Sequence, residues 1–141
     1  MKILISGGRD DYLNKKGYQY LNQLHEQYDF TEIVNGMATG IDKCARIWAE
    51  KHNIPVKPFP AKWNDLKNVP KMFIKTNKYG KEYNAKAGTD RNKYMLDYLD
   101  EGDLVVVMPG GAGSTHMLWI ANGRDDVVVI NLMEREDLIE K

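Results

Sequence analysis

The chain has 141 residues, of which 43% are hydrophobic, and its 20 basic side chains balance its 20 acidic ones. This composition predicts one domain, spanning residues 1–141, that buries an apolar core without metal or disulfide support. The zero net charge disfavours nucleic acid and membrane surfaces as partners, and the single Cys44 excludes an intramolecular disulfide. Because we find neither a signal-peptide pattern nor a long apolar run, we expect a cytoplasmic protein outside the membrane.

The first predicted strand, Lys2–Ser6, ends in the glycine turn Ser6-Gly7-Gly8-Arg9. Backbone N–H groups and the Arg9 guanidinium converge at this turn, and a planar guanidinium can pair with a phosphate or a carboxylate. A solvated loop arginine is the alternative interpretation. The next helix, predicted over Gly17–Tyr28, places His25 at the edge of its apolar face rather than in a metal site, because no second ligand with suitable spacing accompanies it.

A second strand, Thr31–Asn35, runs into a second turn and then into a helix with an apolar face. Small residues in this turn would let a ligand lie against the backbone. They are Gly36, Ala38 and Gly40. Asp42 follows in the first turn of the helix, where a carboxylate complements the helix dipole and could also bind ribose hydroxyls. A third strand over Asn53–Pro60 contains prolines, which favour a sheet edge, and Trp63 lies just beyond its end.

Residues 64–86 have no regular pattern and predict a long loop or lid. Lysines and tyrosines are interleaved there, which could suit a nucleic acid, but the rest of the chain offers no matching basic face. We therefore favour a ligand-covering lid or an oligomer contact. Gly88-Thr89-Asp90 then opens a helix predicted over Arg91–Leu99. Arg91 and Asn92 fall in its first turn, where positive charge opposes the helix dipole and indicates an anionic partner.

The fourth predicted strand, Asp103–Met108, leads into the most glycine-rich turn of the chain, Pro109–Thr115. Its glycines can bring backbone N–H groups against a phosphate, and a hydroxyl residue can cap the next helix or donate to the anion. The residues concerned are Gly110, Gly111, Gly113, Ser114 and Thr115. Because the spacing matches neither a P-loop nor a dinucleotide-binding fingerprint, a plain strand-to-helix turn is the alternative interpretation.

Helices over Ser114–Asn122 and Glu134–Lys141 and a strand over Asp126–Leu132 complete the chain. The alternation of strands and helices predicts an α/β fold, a Rossmann-like three-layer sandwich around a mainly parallel sheet of about five strands. Ligands of such sheets bind outside the carboxyl ends of the strands. All three glycine turns follow strand ends, so we expect them to form one site.

Five ordered segments resemble those of the SLOG superfamily, in particular its small YspA-related members of bacteria and phages. The segments are Ser6–Arg9, Asn35–Asp42, Ala45–Trp63, Ala87–Met95 and Pro109–Met117. The resemblance implies a Rossmann-like domain that binds a nucleotide or nucleotide-derived ligand and senses, processes or sequesters it. It also implies a homo-oligomer, since relatives commonly pair through helices beside the site.

The related LOG-type phosphoribohydrolases carry PGGxGTxxE and an arginine–lysine pair one helix earlier. By this pattern Arg91 matches the arginine, whereas Asn92 replaces the lysine and Met117 replaces the glutamate. Gly110, Gly111, Gly113 and Ser114 match the glycine turn, with serine for threonine. The carboxylate that would assist cleavage of an N-glycosidic bond is thus missing from its expected position. If the chain is an enzyme, Arg91 and Asp42 are candidate catalytic residues, with Asp10 or Asp90 as other carboxylates.

The resulting hypothesis is a site for a phosphorylated nucleotide-like molecule, with no metal and no other cofactor. The turn Gly110–Thr115 would hold the phosphate, which Arg91 and Arg9 would neutralise. Asp42 would bind sugar hydroxyls, and Trp63 would stack on a base. Hydrolysis of the nucleotide is the first alternative, and a nucleic-acid or protein interaction module built on residues 64–86 is the second.

Overall fold

The computed structural model describes residues 1–141 and contains seven strands and four α-helices. In chain order these are β1 (Lys2–Ser6), α1 (Lys15–Tyr28), β2 (Glu32–Asn35), α2 (Ile41–Lys51), β3 (Val56–Pro58), β4 (Ile74–Thr76), β5 (Glu82–Asn84), α3 (Ala87–Tyr98), β6 (Leu104–Val107), α4 (Ala112–Asn122) and β7 (Val128–Asn131). Five strands form one parallel sheet in the order β3-β2-β1-β6-β7. The predicted Rossmann-like three-layer α/β fold is therefore confirmed. None of the helices is both long and apolar enough to span a bilayer.

The central strand β1 divides the hydrophobic core into two layers. Ile3 and Ile5 pack in one cluster with side chains of α1 and α2, whereas Leu4 packs in the other with side chains of α3 and α4. Successive side chains of a strand point to opposite faces, so one apolar run supplies both layers. The same burial on two faces explains the continuous apolar sequence of Leu104–Val107, all four residues of which are buried.

Several helix and strand boundaries differ from the sequence-based predictions. Helix α3 begins at Ala87 rather than Arg91, and α4 begins at Ala112 rather than Ser114. Neither helix has a side-chain hydrogen bond at its N-cap, so packing rather than local capping determines where it starts. The strand predicted over residues 53–60 is limited to Val56–Pro58, and the strand predicted over residues 126–132 to Val128–Asn131.

The C-terminal residues do not form the polar helix predicted over residues 134–141. Glu136–Leu138 makes a single 3-10 turn, and Leu138 and Ile139 are buried in the cluster beneath α1. Asn14 Nδ2 donates hydrogen bonds to the backbone carbonyls of Asp137 and Ile139, at 2.9 and 3.2 Å. Two apolar side chains in a short polar segment are too weak a periodic signal to predict this packing.

Residues 64–86, predicted to be a long loop, contain regular structure. A 3-10 turn at Lys71–Phe73 precedes the antiparallel pair β4 and β5, in which Lys75 lies opposite Tyr83. This two-stranded ribbon is separate from the main sheet. Each strand has only three residues, so the alternation of polar and apolar side chains is too short to identify a strand from sequence.

Candidate functional site

A cleft of about 490 Å³ opens at the carboxyl ends of the central strands. In chain order, β2 and β3 extend the sheet on one side of β1, whereas β6 and β7 extend it on the other. The boundary between β1 and β6 is therefore the topological switch point, where α/β sheets bind ligands. The cleft is lined by twelve of the predicted ligand-binding residues. They are Ser6, Gly7, Gly8, Arg9, Ala38, Asp42, Trp63, Arg91, Asn92, Gly111, Gly113 and Ser114.

The other four predicted residues lie outside the lining of the cleft. Gly40, with a φ of 70°, packs against the backbone of Gly8 and Arg9, and Gly110 packs against Gly8. A Cβ on Gly36 would lie 2.5 Å from Arg91 Nη1, so Gly36 packs behind that guanidinium. These three glycines bring the turns and α3 together. Thr115 is exposed, and its hydroxyl donates to the Gly111 carbonyl at 3.2 Å.

Two residues that line the cleft each have a buried polar atom without a hydrogen-bond partner, Ser114 Oγ and Arg91 Nε. Ser114 is 2% exposed and lies in the first turn of α4. Arg91 is anchored through Nη1, which donates to the Gly36 carbonyl at 2.6 Å. Leaving a buried polar group unpaired costs about 1–3 kcal/mol, and native structures rarely do so. Because a hydroxyl and a guanidinium N–H both donate, the group that would satisfy them is an acceptor.

Asp42 is a buried carboxylate in the wall of the same cleft. Its Oδ2 accepts a hydrogen bond from the Ala38 N–H at 3.1 Å. Burial raises the pKa of Asp42, although this hydrogen bond and the positive charges of Arg91 and Arg9 act in the opposite direction. Burial likewise lowers the pKa of Arg91, against the attraction of Asp42. No nitrogen of Arg91 lies within 4.0 Å of an Asp42 oxygen, so the two charges attract without a direct ion pair.

We expect Asp42→Asn to increase stability relative to wild type by a larger amount at pH 7 than at pH 4. The folded protein keeps the Asp42 carboxyl group protonated at pH values above its ordinary pKa of 3.8. The free energy of unfolding of the wild type therefore falls as pH rises from 3.8 to the raised pKa. Asparagine does not titrate, and its Oδ1 can still accept from Ala38. Urea unfolding of both proteins at the two pH values measures the difference, and a difference that does not change with pH would contradict the expectation.

Trp63 and Arg9 lie together at the cleft. The Arg9 guanidinium carbon is 4.7 Å from the centroid of the indole ring, a distance typical of a cation–π contact. Trp63 also lies against the first turn of α3, because a Cβ on Gly88 would be 3.0 Å from its ring. The Arg9 backbone carbonyl accepts from the Thr39 hydroxyl at 2.9 Å, which joins the first glycine turn to the second.

The positions that depart from the LOG-type pattern have structural roles in this chain. Asn92 is 5% exposed, donates to the Gly113 carbonyl at 3.2 Å and lies 3.1 Å from His116 Nδ1. It thereby ties α3 to the first turn of α4. Partial burial, together with the charge of Lys93, lowers the pKa of His116, so a neutral ring nitrogen can accept from the Asn92 amide. Met117 is fully buried in the apolar cluster beneath α3 and α4.

Several residues of the site were not predicted from the sequence. Asp11, Ala85, Gly88, Thr89, Met95 and Ala112 also line the cleft, as does Asp10, which was expected only as an alternative carboxylate. Asn35 is fully buried; its Nδ2 donates to the Asp42 carbonyl at 2.8 Å, and its Oδ1 accepts from the Met37 N–H. The sequence does contain a signal for this role, because Asn35 is an amide at the end of an apolar strand. A buried amide needs hydrogen-bond partners, so it is expected to bind neighbouring backbone.

Residues 1–65 match the model of the YAcAr family, described as the YspA, cpYpsA-related SLOG family. The match covers β1, β2, the first two glycine turns and Trp63. Helix α3 and the glycine turn after β6 lie beyond it. No curated protein matches the chain.

Proposed function

Because the chain belongs to the SLOG superfamily, whose members bind or process nucleotide-related ligands in general, we propose that it binds a nucleoside phosphate in the cleft between β1 and β6. The phosphate would lie at the first turn of α4. The observation that carries this proposal is a pair of unpartnered buried donors, Ser114 Oγ and Arg91 Nε, in two residues that line that cleft. An anionic oxygen is the acceptor best matched to both.

The start of α4 supports a phosphate at this end of the cleft. The first N–H groups of a helix have no partner within it, and together with the helix dipole they favour an anion. The first turn of α4 has no acidic side chain and no side-chain cap that would compete. Gly111 and Gly113 leave this backbone open, because a Cβ on either would meet nothing within 4 Å.

The remaining polar and aromatic groups of the cleft would take the rest of the ligand. We assign the sugar hydroxyls to Asp42, whose carboxylate can accept from them, and the base to Trp63. Arg9 supplies a second positive charge beside the indole. The cleft volume of about 490 Å³ lies within the range of small-molecule pockets, roughly 300–1,000 Å³.

We expect Ser114→Ala to weaken nucleotide binding without lowering stability. The hydroxyl has no partner in the free protein, so its removal relieves a buried unpaired group, while the complex loses a hydrogen bond to a charged ligand. Such a bond contributes about 1.5–3 kcal/mol, which predicts roughly 10- to 100-fold weaker binding. Arg91→Ala should weaken binding by at least as much. Calorimetry against nucleoside mono- and diphosphates, ADP-ribose and cyclic nucleotides measures both effects.

Thr115→Ala is the matched control, since it removes a neighbouring hydroxyl that is exposed and lies outside the cleft lining. It should leave the affinity close to that of wild type. The proposal fails if no compound in the panel binds, or if Ser114→Ala and Arg91→Ala bind the compounds as tightly as wild type does.

Hydrolysis of the bound nucleotide is a second candidate, favoured by Asp42. A buried carboxylate with a raised pKa in a ligand cleft is suited to proton transfer. Chromatography of the same compounds after long incubation distinguishes the two functions, because release of free base or of ribose phosphate shows turnover. The homo-oligomer and the cytoplasmic location stay predictions from the sequence.

A further inference from the structure

Residues 61–86, here called the basic arm, have a positive net charge although the whole chain has none. The arm contains only two acidic residues, Asp65 and Glu82, against seven lysines. The lysines are Lys62, Lys67, Lys71, Lys75, Lys78, Lys81 and Lys86. Its net charge is therefore +5, and the rest of this neutral chain carries −5. The molecule is electrically polarised although its total charge is zero.

The charge of the basic arm is not neutralised within the chain. Of its seven lysines only Lys86 approaches a carboxylate, that of Asp90 at 3.9 Å. The other six form no ion pair. All six are exposed. Their ammonium groups are thus free to meet an anionic partner.

The β4–β5 ribbon presents an aromatic ring among these lysines. Asn77 Oδ1 accepts from the backbone N–H groups of Tyr79 and Lys81, at 2.9 and 3.0 Å, which holds the turn in shape. Tyr79 at the tip is 81% exposed, and Met72 nearby in sequence is 70% exposed. Lys78 Nζ lies 5.2 Å from the centroid of the Tyr79 ring. An ordered turn therefore exposes one aromatic ring beside an ammonium group.

We propose that the basic arm binds single-stranded nucleic acid. Its lysines neutralise successive phosphates, and Tyr79 stacks on an unpaired base, the combination by which proteins bind single strands without sequence preference. The zero net charge of the chain disfavoured nucleic acid as a partner. That expectation holds only where positive and negative side chains are evenly mixed, which is not so in this chain. The negative charge of the remaining chain repels a polyanion and so confines it to the arm.

The test is fluorescence anisotropy with labelled 20-nucleotide oligothymidine and oligouridine. If five lysines contact phosphates, affinity falls by about 100-fold between 50 and 200 mM salt. Combining Lys75→Ala, Lys78→Ala and Lys81→Ala should reduce the slope of log affinity against log salt by about 2. Tyr79→Ala should weaken binding by at least about fivefold, the loss expected for one stacked base.

The matched control combines Lys15→Ala, Lys43→Ala and Lys51→Ala, which removes three exposed lysines of α1 and α2. It should bind the oligonucleotides as wild type does. Absence of binding at 50 mM salt overturns the proposal. So does an equal loss in the control triple variant, or binding to anionic lipid vesicles without binding to either oligonucleotide.

Discussion

Met117→Glu is expected to destabilise the protein strongly rather than to create a catalytic carboxylate. The side chain is fully buried in the apolar cluster that also contains Leu4, Val34 and Met95, and it does not line the cleft. A glutamate there would bury a carboxyl group with no partner among these side chains. Such changes cost upwards of about 4 kcal/mol, a large part of the roughly 5–15 kcal/mol that stabilises a typical domain.

Two controls separate the burial of charge from other effects at this helix. Met117→Leu keeps the apolar character and nearly the volume, so it should cost less than about 1.5 kcal/mol. Trp119→Glu adds the same carboxylate two residues further along α4, where the side chain is 75% exposed, and should change stability little. Urea unfolding followed by circular dichroism measures all three variants. A Met117→Glu protein as stable as wild type would show that this side chain reaches solvent, contrary to its packing.

Gly40→Ala is expected to destabilise the protein by about 3 kcal/mol or more. Gly40 has a φ of 70° and a ψ of −127°, a region that L-residues rarely adopt and that costs an alanine on the order of 1–3 kcal/mol. Its added Cβ would also collide with the Gly8 carbonyl oxygen and lie 2.6 Å from the Arg9 carbonyl carbon. Both obstacles are backbone atoms of the first glycine turn, so they cannot rotate away as a side chain would, and overpacking adds about 1–3 kcal/mol.

Gly80→Ala is the control for an alanine at positive φ whose Cβ meets no neighbouring atom. Gly80 has a similar φ of 78°, but a Cβ there would meet nothing within 4 Å. Thermal unfolding should therefore show a loss of about 1–2 kcal/mol for Gly80→Ala, and a fall in Tm of about 10 °C for Gly40→Ala. Equal losses at the two positions would mean that the close contact between the first two turns contributes nothing. Because Gly40 joins these turns, its substitution should also weaken nucleotide binding.

Local patterns in the sequence were enough to predict the fold and most of the cleft. The apolar runs of β1 and β6 identify buried parallel strands, and the glycines after them mark their carboxyl ends. Parallel strands bring these ends to one edge of a sheet, so Ser6–Arg9 and Gly111–Ser114 were expected at one site. Hydrophobic periodicity and turn residues depend on the neighbouring sequence alone, which is why this inference needs no coordinates.

Tertiary structure alone decided what each polar or glycine residue contacts. Gly40 and Gly111 look alike in sequence, yet one packs against backbone and the other borders open space, because the difference lies in distant residues opposite them. Likewise, Asn92 is bound to Gly113 and His116, whereas Ser114 Oγ is left unpaired. Hydrogen-bond pairing between elements depends on their packing in three dimensions, and no local pattern records it. The glycine turns were thus predictable from sequence, whereas the two unpaired donors that favour an anionic ligand were not.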